Sequence, residues 1–188
     1  NRDVPYSNPD AVTDPDEKAR LLDVKQKGQD AAGELKKMAS LCQEKFGLDK
    51  CLSVSWLDGS NTKTRKYLWA QMKYSDRADD PTSVSIFVEM RNDTQACYRI
   101  SLEIKNDSTD KKTMERYHSH LDLPLNQDAG LVYVSGSNEW GRPEPMKEKQ
   151  YEIRDKVKVG ELRKVQICKF IDQKADQTNE YFEAELLR

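Results

Sequence analysis

Alternating apolar and polar side chains run through four segments between residues 52 and 104, and this pattern constrains the fold more than any other feature. In the two longest segments, apolar residues occupy positions 84, 86, 88 and 90 and then 98, 100, 102 and 104. In the first segment, Leu52, Val54 and Trp56 would share the core face. A period of two places one set of side chains on one face of a β-strand. Because short turns separate the segments, we expect an antiparallel meander with one face against the core.

A long N-terminal helix is predicted to cover that face. Residues 14–17 carry its start signals, which are a capping aspartate, a proline at the first helical position and a glutamate at capping-box spacing. The buried stripe of a helix is indicated by residues spaced i, i+3, i+4, i+7 and i+11: Leu35, Met38, Ala39, Cys42 and Phe46. Gly28 and Gly33 interrupt the pattern, so we expect either two helices or one bent helix, ending at Gly47.

The rest of the chain completes an α+β prediction. Residues 109–121 favour a polar helix, residues 131–134 a short strand, and residues 151–171 one or two further strands, of which residues 165–171 are the clearest. The chain ends in a helical pattern. We therefore predict an α+β fold with the N-terminal helix or helices packed on a mostly antiparallel sheet, followed by a further helix and a short strand-rich C-terminal part.

Composition and cysteine usage predict the domain organisation and the cellular compartment. Residues 1–13 are predicted to be a flexible arm and residues 14–188 a single domain, a fragment of a longer protein. No apolar run approaches the roughly 20 residues of a membrane span. The four cysteines form no Cys-x-x-Cys pair, so we expect a reduced cytoplasmic protein without a structural zinc. Cys97 and Cys168 lie in strand-like runs and are predicted to be small buried thiols.

A basic and aromatic segment, residues 63–74, carries the strongest functional signal. A period of two gives it an apolar face made of Leu68, Ala70, Met72 and Tyr74. The opposite face carries side chains of the kind that a nucleic-acid surface uses: Tyr67, Trp69, Gln71 and Lys73. Three cations precede this face in the sequence: Lys63, Arg65 and Lys66. Cations neutralise phosphates and flat rings stack on bases. The formal net charge of -2 means that any such contact is local. The same pattern also fits a strand packed on both faces.

Trp140 is a predicted second contact, because it lies in a loop rich in glycine and proline. It belongs to residues 135–145 and follows the short strand.

Glu103 and Lys105 give an alternative interpretation. A strand ending in Glu-x-Lys is the centre of metal-dependent nuclease sites, where carboxylates hold magnesium and the lysine positions the attacking water. Glu89 offers a partner acid on the preceding strand. His118 and His120 have no third metal ligand in the sequence and are interpreted as surface or capping residues. No nucleophile motif or glycine-rich phosphate loop is present, which favours a protein without catalysis of its own.

A third interpretation is a protein-interaction domain that docks a partner through the sheet or through the highly charged residues 147–164. Those mixed charges suit a solvated face equally well.

The order of several short motifs resembles a known family. After the N-terminal helix come Leu52-Ser53, a turn at residues 59–61, the strand with Leu68-Trp69, an apolar strand at residues 84–88 and Ile100-Ser101. This order is similar to that of the N-terminal DNA-recognition domain of McrB-type, modification-dependent restriction proteins. The resemblance covers roughly residues 35–120, and Leu68-Trp69 stands where the family has a Pro-Trp pair.

The resemblance implies a module that reads modified, methylated duplex DNA for a restriction or defence system. It assigns phosphate contacts to the cations of residues 63–66, walls around an extruded base to Tyr67 and Trp69, and reading of the base edge to Gln71 or Asn61. Such a module needs no cofactor or metal. Its implied partners are double-stranded DNA, a fused or associated NTPase motor and a nuclease subunit.

Overall fold

The computed structural model describes residues 4–80, 82–92, 95–104, 110–136, 142–173 and 178–188. Within these ranges the α-helices are α1 (Pro15–Phe46), α2 (Lys111–Tyr117), α3 (Gln150–Val159) and α4 (Asn179–Leu187). The strands are β1 (Lys50–Ser53), β2 (Leu68–Lys73), β3 (Thr82–Met90), β4 (Ala96–Ile104), β5 (Leu131–Val134) and β6 (Gln166–Asp172). They form one antiparallel sheet in the order β1-β2-β3-β4-β6-β5. None of the described helices combines the length and the apolar character needed to cross a membrane.

Helix α1 is a single helix of 32 residues, and it packs on the sheet as predicted. The Asp14 carboxylate accepts a hydrogen bond from the Glu17 N–H at 2.9 Å, so the predicted cap is confirmed. Gly47 ends the helix at φ 63°, a left-handed conformation that glycine adopts without a steric penalty. The α+β prediction, with an N-terminal helix on a mostly antiparallel sheet, is therefore confirmed.

Both clusters of core residues lie on one face of the sheet, which we call the covered face. The first cluster joins α1 and α4 to strand residues such as Leu68, Met72 and Ile86. The second joins α3 to Tyr133 and Val165 at the other end of the sheet. The opposite side, the polar face, carries side chains that alternate with these: Trp69, Gln71, Ser83, Ser85, Phe87, Glu89, Arg99, Ser101, Glu103, Gln166 and Cys168. Each strand thus separates an apolar set from a largely polar set.

Several sequence predictions differ from the structure, among them those for Leu52 and for residues 151–171. Leu52 is 53% exposed because it lies opposite Gln71 on the polar face and β1 is an edge strand of the sheet, whereas Val54 and Trp56 lie beyond the end of β1 and pack on the core. Within residues 151–171, predicted to contain one or two strands, the structure has the single strand β6, and residues 151–159 belong to α3. Their apolar residues fit either period over such a short run. The helix buries Ile153 and Val157 in the second cluster and ends at Gly160, with φ 84°.

The segment of residues 4–12, within the predicted flexible arm, makes ordered contacts. The Tyr6 N–H donates to the Thr62 carbonyl at 2.7 Å, and the Thr64 N–H donates to the Val4 carbonyl at 3.0 Å. The Tyr6 ring meets the edge of Trp56 with centroids 4.9 Å apart. A short 3-10 helix, Pro9–Ala11, then rests against α1. The segment therefore contacts Trp56 through Tyr6.

Gly28 allows the closest approach in this region. A Cβ at position 28 would lie 2.4 Å from Cε3 of the Trp56 ring, a distance that side chains do not tolerate. Gly33, on the same helix, would meet nothing within 4 Å. The glycine at 28 is therefore required by packing, while the glycine at 33 is not.

We expect Gly28→Ala and Gly33→Ala to change stability in opposite directions. Overpacking costs about 1–3 kcal/mol, while alanine in a helix returns about 0.5–1 kcal/mol. Gly28→Ala should therefore lower the free energy of unfolding and Gly33→Ala should raise it by up to about 1 kcal/mol. Urea unfolding at equilibrium measures both. Equal shifts in the two variants would contradict the close approach of Trp56 to α1.

His118 and His120 are buried rather than exposed. They are 3% and 8% exposed, and their ring centroids are 5.4 Å apart. His118 Nε2 lies 3.1 Å from the Arg163 carbonyl oxygen, so this nitrogen carries the proton that is donated. Burial lowers the pKa of His118, and burial together with the charge of His118 lowers the pKa of His120 to about 4. Both rings are neutral in the folded protein at pH 7.

Because this histidine pair is buried and neutral, we expect the free energy of unfolding to fall in mild acid. Unfolded histidine binds a proton near pH 6.5, whereas folded His120 does so near pH 4, so the stabilisation is complete above pH 6.5 and declines below it. The difference corresponds to about 3 kcal/mol at 1.36 kcal/mol per pKa unit. Unfolding free energies between pH 7 and 5 test this. His120→Gln should flatten the decline, and an unchanged slope would show that other groups cause it.

Candidate nucleic-acid interface

The basic loop, residues 57–67, is held in a tight turn before β2. The Asp58 carboxylate accepts from the N–H groups of Thr62 and Lys63 at 3.0 and 3.3 Å. The Asp58 N–H donates to the Lys63 carbonyl at 2.9 Å. Asn61 lies at the tip of this turn, exposed and at φ 57°, a left-handed conformation that asparagine tolerates better than most residues. The loop therefore presents its side chains from a defined backbone.

Three cations belong to this loop. Lys63 and Lys66 are exposed, and Arg65 is partly buried. The Arg65 Nε–H donates to the Ser55 carbonyl at 3.0 Å, which anchors the guanidinium beside the loop. Arg65 and Lys66 line a common cavity.

A cavity of about 240 Å³ opens beside these cations. Arg65, Lys66 and the exposed Tyr67 line one side of it, while Trp56 and Tyr98 supply aromatic surface. The walls also include small and aliphatic side chains from α1, β2, β3 and β4, together with the polar residues Glu89 and Gln173. Pockets for drug-sized ligands measure roughly 300–1,000 Å³, so this one has room for a smaller group.

The predicted polar side of β2 forms, but its members have different surroundings. Trp69 is opposite Phe87 on β3, and Gln71 is opposite Ser85. Tyr67 is 43% exposed, with its ring centroid 6.0 Å from that of Phe87. Trp69 is partly buried and lies on the polar face, whereas the cavity is lined by Leu68 from the covered face. The structure therefore places Tyr67 at the cavity and Trp69 outside it.

Gln71 and Lys73 are engaged inside the protein. Gln71 is 7% exposed, and its amide donates to the Ser83 hydroxyl at 2.8 Å. The Lys73 ammonium donates to the carbonyls of Ala78, at 2.9 Å, and Asp80. Neither side chain reaches outward from this position, so the exposed amide of the predicted set is that of Asn61.

Two predicted residues, Trp140 and Lys105, lie outside the described residues. Sequence reasoning assigned Trp56 and Tyr98 to the core and missed their place in the cavity wall. No sequence signal marks them, because the cavity is formed by residues from elements far apart along the chain.

The polar face contains a buried ion pair. Arg99 Nε lies 2.7 Å from Glu89 Oε1, and both side chains are 7% exposed. The Arg99 guanidinium also lies 3.7 Å from the centroid of the Phe87 ring, within the range of a cation–π contact. Although burial opposes its charge, the hydrogen bonds to Glu89 raise the pKa of Arg99 above its ordinary value. This pair fixes the surface beside Tyr67 and Trp69.

Glu103 belongs to a separate contact. Its carboxylate accepts from the Lys164 ammonium at 2.5 Å and from the Ser85 hydroxyl at 3.1 Å. Glu103 is opposite Ser83, six residues from Glu89 along β3, so the two acids are about 20 Å apart. They cannot share one magnesium ion. Nowhere in the described ranges do three histidine, cysteine, aspartate or glutamate residues form a group that could hold a metal.

No family model, curated protein or solved structure matches this chain. The McrB-type resemblance therefore stays a prediction from the residues alone.

Removing Arg99 should be far more costly than removing an exposed cation. Arg99→Met leaves Glu89 buried without its partner, for which about 3–5 kcal/mol of unfolding free energy is typical. Lys27→Met is the matched control, because it breaks an exposed pair with Asp23 that is worth at most about 0.5 kcal/mol. The double variant Glu89→Leu/Arg99→Met should recover most of the loss. Urea unfolding measures all three, and similar values for Arg99→Met and Lys27→Met would contradict the burial of the pair.

Proposed function

We propose that this chain is a DNA-binding recognition module that reads modified, methylated duplex DNA for a restriction or defence system. The observation that carries the proposal is the meeting of Arg65, Lys66 and exposed Tyr67 at an aromatic cavity. Cations beside a recess for one planar group are what a protein needs to hold a DNA backbone and receive a base.

Phosphate contacts come from the basic loop. The formal net charge of -2 gives the whole chain no attraction for a polyanion, so binding depends on Lys63, Arg65 and Lys66 acting locally. Each phosphate that such a side chain neutralises releases counterions and adds about 0.9 to the slope of log affinity against log salt. The tight turn at Asp58 supports this role because the cations are presented without ordering a mobile loop.

Base contacts involve both aromatic surfaces. An extruded base would enter the cavity past Tyr67 and lie against Trp56 and Tyr98. Extrusion costs a few kcal/mol and stacking returns about 1–3 kcal/mol per base, so the phosphate contacts must supply the remainder. Trp69 offers a second ring on the polar face for a neighbouring base. Asn61 is the exposed amide that can pair with a base edge.

Catalysis has no place in this proposal. Cleavage would belong to a fused or associated NTPase motor and a nuclease subunit, as the McrB-type resemblance implies. The nuclease alternative has less support, since Glu103 is bonded to Lys164 and lies far from Glu89. No specific contact among the described residues favours the protein-docking alternative.

A titration with short duplexes tests the proposed function. Duplexes with unmodified bases, 5-methylcytosine, 5-hydroxymethylcytosine or N6-methyladenine are compared at two salt concentrations, with magnesium in a parallel series to detect cleavage. We expect tighter binding to one modified duplex. Lys66→Ala should weaken binding to every duplex equally and lower the salt slope by about 0.9. Tyr67→Ala and Trp69→Ala should weaken binding about 5- to 150-fold, the equivalent of about 1–3 kcal/mol, and reduce the preference.

The control for Lys66→Ala is Lys45→Ala, which removes an exposed lysine near the C-terminal end of α1, 17 residues along the helix from Gly28 of the cavity lining. Equal, weak binding to all duplexes that disappears at the higher salt concentration would refute the proposal. Magnesium-dependent cleavage abolished by Glu103→Ala would instead favour the nuclease alternative.

A further inference from the structure

The backbone of the basic loop is one strand of a small ribbon that the N-terminal segment completes. On one side, Leu57 pairs with Thr64, and the Arg65 N–H donates to the Trp56 carbonyl at 2.9 Å. On the other side, Pro5 pairs with Lys63 through the two backbone bonds of Val4 and Tyr6. Residues 62–65 therefore lie between two other segments, residues 56–57 and residues 4–6, and residues 4–6 are the outer of the two.

A buried side chain joins the segment to the loop a third time. Thr64 is 2% exposed, and its hydroxyl accepts from the Val4 N–H at 3.0 Å. Because side chains alternate along an extended segment, the inward direction of Thr64 sends Lys63 and Arg65 the other way. The contact that buries Thr64 thus also sets the direction of the two cations.

The segment also holds a wall of the cavity. Tyr6 contacts Trp56 edge to face with ring centroids 4.9 Å apart, and the Trp56 ring also lies against Gly28 of α1. Trp56 therefore contacts both Tyr6 and the helix. Without Tyr6, one of these two supports is absent.

We propose that residues 4–6 are positioning residues of the DNA-binding surface: they hold the basic loop and Trp56 in the conformation that binds. This inference depends on the proposed function for its ligand, although the ordering of the loop can be measured without DNA. Fixing a loop before binding saves the conformational entropy of ordering it on the ligand, so a free loop with the same charges binds more weakly.

Limited proteolysis tests the ordering of the loop. Trypsin cuts after Lys63, Arg65 and Lys66 only when the loop leaves the ribbon, and cleavage after Lys158 in α3 gives an internal reference. Tyr6→Ala removes the ring, and Val4→Pro removes the N–H that bonds Thr64. Both should speed cleavage in the loop at least tenfold relative to Lys158. Tyr6→Phe keeps the ring, and Ser7→Ala changes an exposed neighbour, so both should leave cleavage unchanged.

DNA titration then tests the positioning role. Tyr6→Ala should weaken binding at least fivefold and lower the salt slope although it removes no charge, because the cations no longer reach the phosphates together. Tyr6→Phe should restore both values. Circular dichroism checks that the sheet and helices remain in each variant.

The possible failures are distinguishable. Unchanged cleavage in Tyr6→Ala and Val4→Pro would overturn the inference. Faster cleavage with unchanged affinity and salt slope would overturn the positioning role. If the unsubstituted chain binds no DNA, the proposed function fails, and the cleavage rates still decide whether residues 4–6 hold the loop.

Discussion

The burial of one face of the sheet beneath α1 is the constraint on which the rest of the structure depends. Leu68, Ala70 and Met72 of β2 must lie in the core with α1, and this fixes the direction of every other residue of the strand. A shift of one residue would exchange the two sets completely. Trp69 and Gln71 are therefore on the polar face because their neighbours are apolar. The chemistry of the polar face follows from the packing of the covered face.

The polar face is held together by hydrogen bonds and an ion pair, whereas the covered face is held together by apolar packing. It uses polar pairs such as Arg99 with Glu89 and Gln71 with Ser83, which are buried and hydrogen-bonded. Burying charges is expensive, and a pair of this kind contributes little net stability compared with apolar residues of similar size. Its directional bonds nevertheless allow few alternative arrangements. The Arg99 guanidinium of this pair packs on Phe87, whose ring neighbours Tyr67 beside the basic loop.

The cavity shows how a site can be absent from every local pattern. Its walls combine the middle of α1, the loop before β2, and the ends of β3 and β4. Gly28 is part of the wall because a residue without a side chain leaves room for the Trp56 ring. The N-terminal segment contributes through Tyr6, which is more than 50 positions from the loop it supports. None of these residues forms a motif with the others in the sequence.

Local periodicity made most of the fold predictable. The cap at Asp14, the stop at Gly47 and the alternation in β2, β3 and β4 are all encoded by residues close to one another, and the structure confirms them. Some misses occurred where a short run fits two periods, as in residues 151–159, or where a strand ends earlier than its pattern, as β1 does at Ser53. In such cases contacts with distant elements decide the outcome.

Part of the candidate site was likewise predictable from the sequence, and part of it depended on the tertiary structure. The sequence by itself determined that one loop would carry Lys63, Arg65, Lys66 and Tyr67, because these residues are consecutive or nearly so. Only the tertiary structure decided that Tyr67 lines a cavity while Trp69 does not, and that Gln71 and Lys73 are used within the protein. Proximity along the chain is a property of the sequence. Which groups face a common space depends on packing between distant segments, and that packing is settled by the whole fold.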